Sequence, residues 1–183
     1  MPDDTIPIHY VGTIDEAEQL CRSHGEFWVS NCGCREGNKK GCARSRTDVC
    51  LMFSGGQGAS GSGKREITKQ DVATILEEAR SKRLVARPFR SDDRSTIDGI
   101  CFCCDDCCGY FLDPTEVCDK GAQIEKTDMG KCTHCGACAS ACHFGARKMK
   151  QGALTVDRDK CYGCGLCVDV CPVNCIEMKK RTA

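Results

Sequence analysis

Residues 131–146 read KCTHCGACASACHFGA, and residues 160–175 read KCYGCGLCVDVCPVNC. Superposed, the two stretches match at a constant offset of 29: Lys131 falls on Lys160, Cys132 on Cys161, Cys135 on Cys164, Cys138 on Cys167 and Cys142 on Cys171. Gly136 aligns with Gly165, and Gly145 with Asn174, the residue types most tolerant of left-handed backbone. Two copies of one unit predict a pseudo-twofold module over roughly residues 127–180. Gly152 and then Leu154-Thr155-Val156 link the copies and are expected to add a strand.

Each copy carries C-x2-C-x2-C-x3-C, and Pro172 follows the last cysteine of the second. A zinc ribbon needs two CxxC pairs, whereas each copy here has a third cysteine two residues further on. Three thiolates at this spacing hold three corners of an iron–sulfur cube, and the fourth cysteine is carried away to the other cube. The expected sets are Cys132, Cys135, Cys138 and Cys171 for cluster one, and Cys161, Cys164, Cys167 and Cys142 for cluster two. Gly136, Gly163 and Gly165 suit loops whose amides point at sulfide, where such hydrogen bonds tune potential.

Working outward, the whole chain has 183 residues, 20 of them cysteine, with 26 basic and 26 acidic side chains. That cysteine content exceeds the 8–10% or so at which it becomes diagnostic. Only ten residues are aromatic, so a large apolar core cannot be the main source of stability and cross-links must supply the rest. The acidic start, Met1-Pro2-Asp3-Asp4, lacks the pattern of a secretory signal, and no apolar run is long enough to span a membrane. A cytoplasmic setting, where thiols stay reduced, favours metal over disulfides. Zero net charge argues against nucleic acid as a partner. Residues 127–183 carry 9 basic and 5 acidic side chains, against 17 and 21 upstream, so basic groups at Lys148/Lys150 and Lys179–Arg181 could steer an acidic redox partner.

The repeat resembles the bacterial-type two-cluster ferredoxins over about 50 residues. The resemblance implies a duplicated βαβ fold, two [4Fe–4S] clusters and one-electron transfer at low potential. His143 departs from it, standing where that family usually has proline. Cys175, at the position of Ala146, is expected to be a small buried residue.

Twelve cysteines remain. Cys32, Cys34, Cys42 and Cys50 form C-x-C-x7-C-x7-C; Cys101, Cys103, Cys104, Cys107 and Cys108 form C-x-C-C-x2-C-C. These nine could supply two further clusters with one thiol to spare, or bind one or two zinc ions, or stay free or partly disulfide-bonded; iron–sulfur is the preferred reading. Neighbouring cysteines on extended chain point to opposite sides, so Cys103/Cys104 and Cys107/Cys108 could each serve two centres. Cys21, Cys118 and Cys175 stand apart. The upstream half is similar to multi-cysteine ferredoxin-type redox proteins of anaerobes, through Ile6-Pro7-Ile8, Asn31–Arg35, Asp48–Phe53, Arg65–Thr68, Leu84-Val85 and Ile100–Cys104. Cys107-Cys108-Gly109 resembles one half of the CCG signature of heterodisulfide-reductase-type subunits, whose second half is missing.

Local signals sketch the remainder. Ile6–Val11 is expected as an edge strand, and Thr13 with Glu16 as a capping box opening a helix that ends at Gly25. Phe27–Val29 is expected as a strand. Thr68 and Asp71 should cap a second helix with an apolar stripe of Val72, Ile75, Leu76, Ala79 and Leu84. Extended chain follows over 84–89, stopped at Pro88. Gly58–Lys64 matches the start of a phosphate-binding loop, but Arg65 stands where Ser or Thr is needed, so it reads as linker. His9, His24 and His134 have no ligand-spaced partners, and His134 is expected to be exposed.

The expectation is an α+β protein: a small cysteine-rich α+β domain at 1–126 and a pseudo-twofold (βαβ)2 ferredoxin-like domain at 127–183. Its expected role is a cytoplasmic electron carrier or redox-complex subunit without substrate chemistry of its own. It would relay single electrons between a donor and an acceptor, a flavoprotein or oxidoreductase complex among them. The competing readings are an N-terminal open or non-cubane cluster that reduces a substrate, and a zinc-structured docking domain.

Overall fold

Both expected capping boxes set the helices in place. In the computed structural model, which describes residues 6–55, 61–113 and 117–182, Thr13 opens α1 (Ile14–Arg22) and Thr68 opens α3 (Lys69–Ser81). At α1 the Glu16 amide donates to Thr13 Oγ1 at 3.1 Å, and the Thr13 amide donates to Glu16 Oε2 at 2.7 Å. Ile14, Ala17 and Cys21 of α1 and Val72, Ile75, Leu76 and Ala79 of α3 turn inward. Between the two helices the chain forms β1 (Phe27–Ser30), the short α2 (Gly33–Gly37), β2 (Cys50–Met52) and β3 (Arg65–Ile67). Beyond α3 come β4 (Val85–Arg90), β5 (Ile97–Cys103) and one turn of helix, α4 (Gly109–Leu112).

These five strands make one antiparallel sheet in the order β3-β1-β2-β5-β4. Val29, Leu51 and Ile100 lie side by side across its centre, all fully buried beneath the helices. Each such side chain contributes about 1.5–3 kcal/mol of apolar burial. β4 runs through Pro88 instead of stopping there, since an edge strand tolerates a residue without an amide hydrogen. The expected strand at residues 6–11 reduces to single bridges, His9 to Phe89 and Gly12 to Ala86, along that edge.

The remaining elements are β6 (Gln123–Thr127), α5 (Ala137–Ser140), β7 (Arg147–Lys150), β8 (Ala153–Val156), α6 (Leu166–Asp169) and β9 (Ile176–Lys180). β6 pairs with β9 and β7 with β8, both antiparallel. β6 spans the boundary expected at 126/127. The apolar core here is small and mostly sulfur: Cys138, Cys167 and Cys175 with Leu154 and Ile176. The molecule is thus a small mixed α/β protein with several antiparallel sheets. Among the described residues, no helix is long and apolar enough to cross a membrane.

Candidate metal centres

The cysteine loops of the repeat wrap two cavities. Cys132, Cys135 and Cys138 line one, together with Cys171 from the other copy. Cys161, Cys164 and Cys167 line the second, together with Cys142. Each cavity therefore takes three thiols from one repeat and the fourth from its twin. Left-handed backbone makes the loops: Gly136 and Gly165 lead into α5 and α6 at φ of 81° and 79°. Gly145 and Asn174 take φ of 65° and 49° where the chain leaves each unit. The backbone amides of Cys175, Val173 and Asn174 donate to Cys171, and against the opposing effect of burial they hold its thiol below the usual range. Burial pushes Cys164 and Cys167 up to about 12, so metal binding must displace their protons. The donor set, at least four thiols about each cavity with amides aimed at sulfur, fits a cysteine-ligated cube.

Two buried charges that sequence reasoning missed line the second cavity. Arg147 donates to Glu125 Oε2 at 2.8 Å and to Thr127 Oγ1 at 2.8 Å. Its charge also faces Cys167 and Cys138, one thiol from each set. Arg158 approaches the other oxygen of Glu125 at 3.1 Å. His134 is half-buried, not exposed, because its Nδ1 accepts the Leu154 amide at 3.0 Å. Cys175 is buried as expected, yet it lines the first cavity and lies 3.5 Å from Cys171 Sγ.

Repeated loops, two cysteine-lined cavities and exchanged fourth cysteines define a ferredoxin-type iron–sulfur module. Residues 122–178 match the family model of the 4Fe-4S dicluster domain, which supports [4Fe–4S] binding and an iron–sulfur electron-transfer role. No curated protein matches the chain.

Upstream, all nine grouped cysteines meet at the end of the five-stranded sheet, but they divide six and three. Cys32, Cys34, Cys50, Cys101, Cys103 and Cys108 form one electrostatically coupled series of neighbouring thiols. Within it, Cys108 and Cys32 hold the Cys34 thiol far below the usual range, and Cys50 brings Cys101 down to about 5. Arg87, 2% exposed on β4, directs Nη1 at Cys103 Sγ and Cys108 Sγ at 3.7 and 3.6 Å. The guanidinium is also electrostatically coupled to Cys118, so that cysteine does not stand apart. His9 Nε2 lies 3.8 Å from Cys101 Sγ. Six thiols from four chain segments about a buried cation fit a negatively charged iron–sulfur centre.

Cys42, Cys104 and Cys107 form the second group, with Cys42 to Cys104 at 3.6 Å and Cys104 to Cys107 at 3.4 Å. The members of each neighbouring pair, Cys103/Cys104 and Cys107/Cys108, do go to different groups. Arg35, 4% exposed, donates from Nε to Cys42 Sγ at 3.4 Å and from Nη2 to the Phe102 carbonyl at 2.9 Å. Burial opposes ionisation of Cys42, but the Arg44 and Ser45 amides and Arg35 bring it down to about 7. Two carboxylates pin its loop: Asp106 accepts the Ala43 amide at 2.8 Å, and Asp105 pairs with Arg44 at 2.7 Å. Neither arginine has a sequence signature, since its partners lie far away in the chain.

The two halves touch through His143 and a group of rings. His143 Nε2–H donates to the Arg83 carbonyl at 3.0 Å, and Nδ1 lies 3.2 Å from Asp105. Phe144 stacks on Tyr162 at 4.5 Å, Tyr110 packs edge-on to Tyr162, and Arg87 covers Tyr110 at 4.0 Å. Gly58–Ser60 of the loop resembling a phosphate cradle lie outside the described residues. Its other end is tied down, with Ser62 O accepting the Asn31 amide at 2.8 Å and the Ser62 amide donating to Glu36 at 2.9 Å.

Proposed function

We propose that the protein relays single electrons through two C-terminal [4Fe–4S] clusters and at least one N-terminal iron–sulfur centre, between a redox donor and an acceptor. The exchange of Cys142 and Cys171 between the two cavities carries this reading. In it, residues 127–183 act as a pseudo-twofold (βαβ)2 module and residues 1–126 as a second metal-binding unit. Bound in such sites, a [4Fe–4S] cluster supplies one-electron exchange without proton chemistry. The chain's own residues hold the thiolates, exclude water and set the local charge.

Cluster two lies on the side facing the N-terminal thiols, because Tyr162 and Phe144, beside its ligands, pack against Tyr110 under Arg87. Cluster one is then the outer terminus, and the basic groups Lys148/Lys150 and Lys179–Arg181 offer an acidic partner its approach. A cytoplasmic setting fits the dense reduced thiols. Anaerobic purification with iron, sulfide and zinc counts, followed by EPR of the reduced protein, tests the reading. About 12 iron per chain is expected for three cubes. About 8 iron with zinc at the six-thiol group would instead favour a docking domain fused to a ferredoxin.

A further inference from the structure

Cys42, Cys104 and Cys107 differ from every other cysteine group in spacing. Among the described residues they are the one set of three candidate donors whose atoms all lie within 4.8 Å of one another. A cube places each thiolate on a different iron and spreads them round its corners, as the cavities of the repeat do. A single ion gathers its thiolates about one point. At a metal–sulfur distance of about 2.3 Å, tetrahedral sulfurs are about 3.8 Å apart. The measured 3.4 and 3.6 Å edges suit that case.

Among the described residues, no fourth protein donor completes the tetrahedron. Cys103 and Cys108, the chain neighbours of Cys104 and Cys107, point to the opposite side, onto Arg87. Asp106 is occupied by the Ala43 amide, and Asp105 by Arg44 and His143. Arg35 supplies buried positive charge along the Cys42–Cys104 edge, and its Nη1 has no hydrogen-bond partner. Three thiolates, a divalent ion and this guanidinium sum to neutrality, so a neutral fourth donor is favoured. The half-exposed Cys42 loop gives water a way in.

We propose that Cys42, Cys104 and Cys107 bind one thiophilic divalent ion of the zinc type and leave its fourth position to exchangeable water. Three protein ligands and an open position characterise zinc sites that bind an external ligand, as opposed to closed structural ones. A small soft ligand such as a thiol is the chemistry this position would accept. The proposal rests on thiol geometry and does not depend on the electron-relay reading.

To test it, the full-length protein is purified without oxygen, clusters in place, and given one equivalent of Zn²⁺. The zinc X-ray absorption spectrum is expected to show three sulfurs at about 2.3 Å and one oxygen at about 2.0–2.2 Å. Added 2-mercaptoethanol should convert this to four sulfurs. Cys42→Ser and Cys107→Ser should each weaken zinc binding at least about 10-fold, no less than the loss of an outer-shell partner costs, with iron and sulfide content unchanged. Four sulfurs before thiol is added, or a fourth ligand that does not exchange, overturns the open position. Failure to take up zinc, unaltered zinc binding in both variants, or joint loss of iron and sulfide from them overturns the mononuclear site. Should the serine variants fail to fold, the wild-type spectra still decide. Cluster absorption, read on the same samples, reports separately on the ferredoxin module.

Discussion

Arg147 and Glu125 form a charge pair in which both side chains are 1% exposed, in the lining of the second cavity. Neutralising one partner leaves the other charge buried and uncompensated, a change that costs about 3–5 kcal/mol. Arg147→Leu is therefore expected to lower stability by that amount in denaturant titrations. It should also make both C-terminal clusters harder to reduce, since a cation facing one thiol of each set is gone. Potentiometric titration followed by EPR reads the shift; unchanged potentials would show that the pair serves packing alone. The double variant Arg147→Met with Glu125→Gln should recover part of the stability but not the potential. The eight cysteines of the repeat were legible because their spacing is local. Arg35, Arg87 and Arg147 were not: Arg35 reaches Phe102 and Cys104, 67 and 69 residues away, and no spacing encodes such a contact.

Elements that announce themselves by their ends were read well. Thr13 with Glu16 and Thr68 with Asp71 place α1 and α3 where expected, since capping is decided within four residues. Thr68→Ala should cost about 1 kcal/mol, seen as a lower thermal midpoint, with the iron–sulfur absorption unaltered. A loss of clusters in that variant would mean that α3 does more than cover the sheet. β2 escaped prediction because its three residues are all buried and show no alternation. β4 was cut short at Pro88 on a rule that holds for central strands, whereas this strand lies at the sheet's edge. The division of the nine N-terminal cysteines was half visible. Alternation along extended chain separates Cys103 from Cys104, but the partners of each come from loops that only the folded sheet assembles.

At the scale of the molecule, the two halves draw stability from different sources. The five-stranded sheet has an apolar core under two helices, while the repeat has a small core built largely of cysteine. Stripping iron should therefore unfold residues 122–180 and leave the sheet of residues 27–103 standing. Hydrogen exchange of the stripped protein checks this, and uniform protection across both halves would refute it. The halves also meet at a specific bond: His143→Ala should loosen the Cys104–Cys107 turn, raising alkylation of Cys42 without changing the cluster absorption.

His143 carries one more consequence, and it concerns time. Asp105, which its ring faces, also steadies the loop bearing Cys42 through Arg44. On the ribosome the first nine grouped thiols emerge well before His143 does. Closure of the loop bearing Cys42 is thus expected to follow folding of the ferredoxin module, although that loop is synthesised first. Pulse alkylation during refolding should find Cys42 protected only after the ferredoxin module has formed.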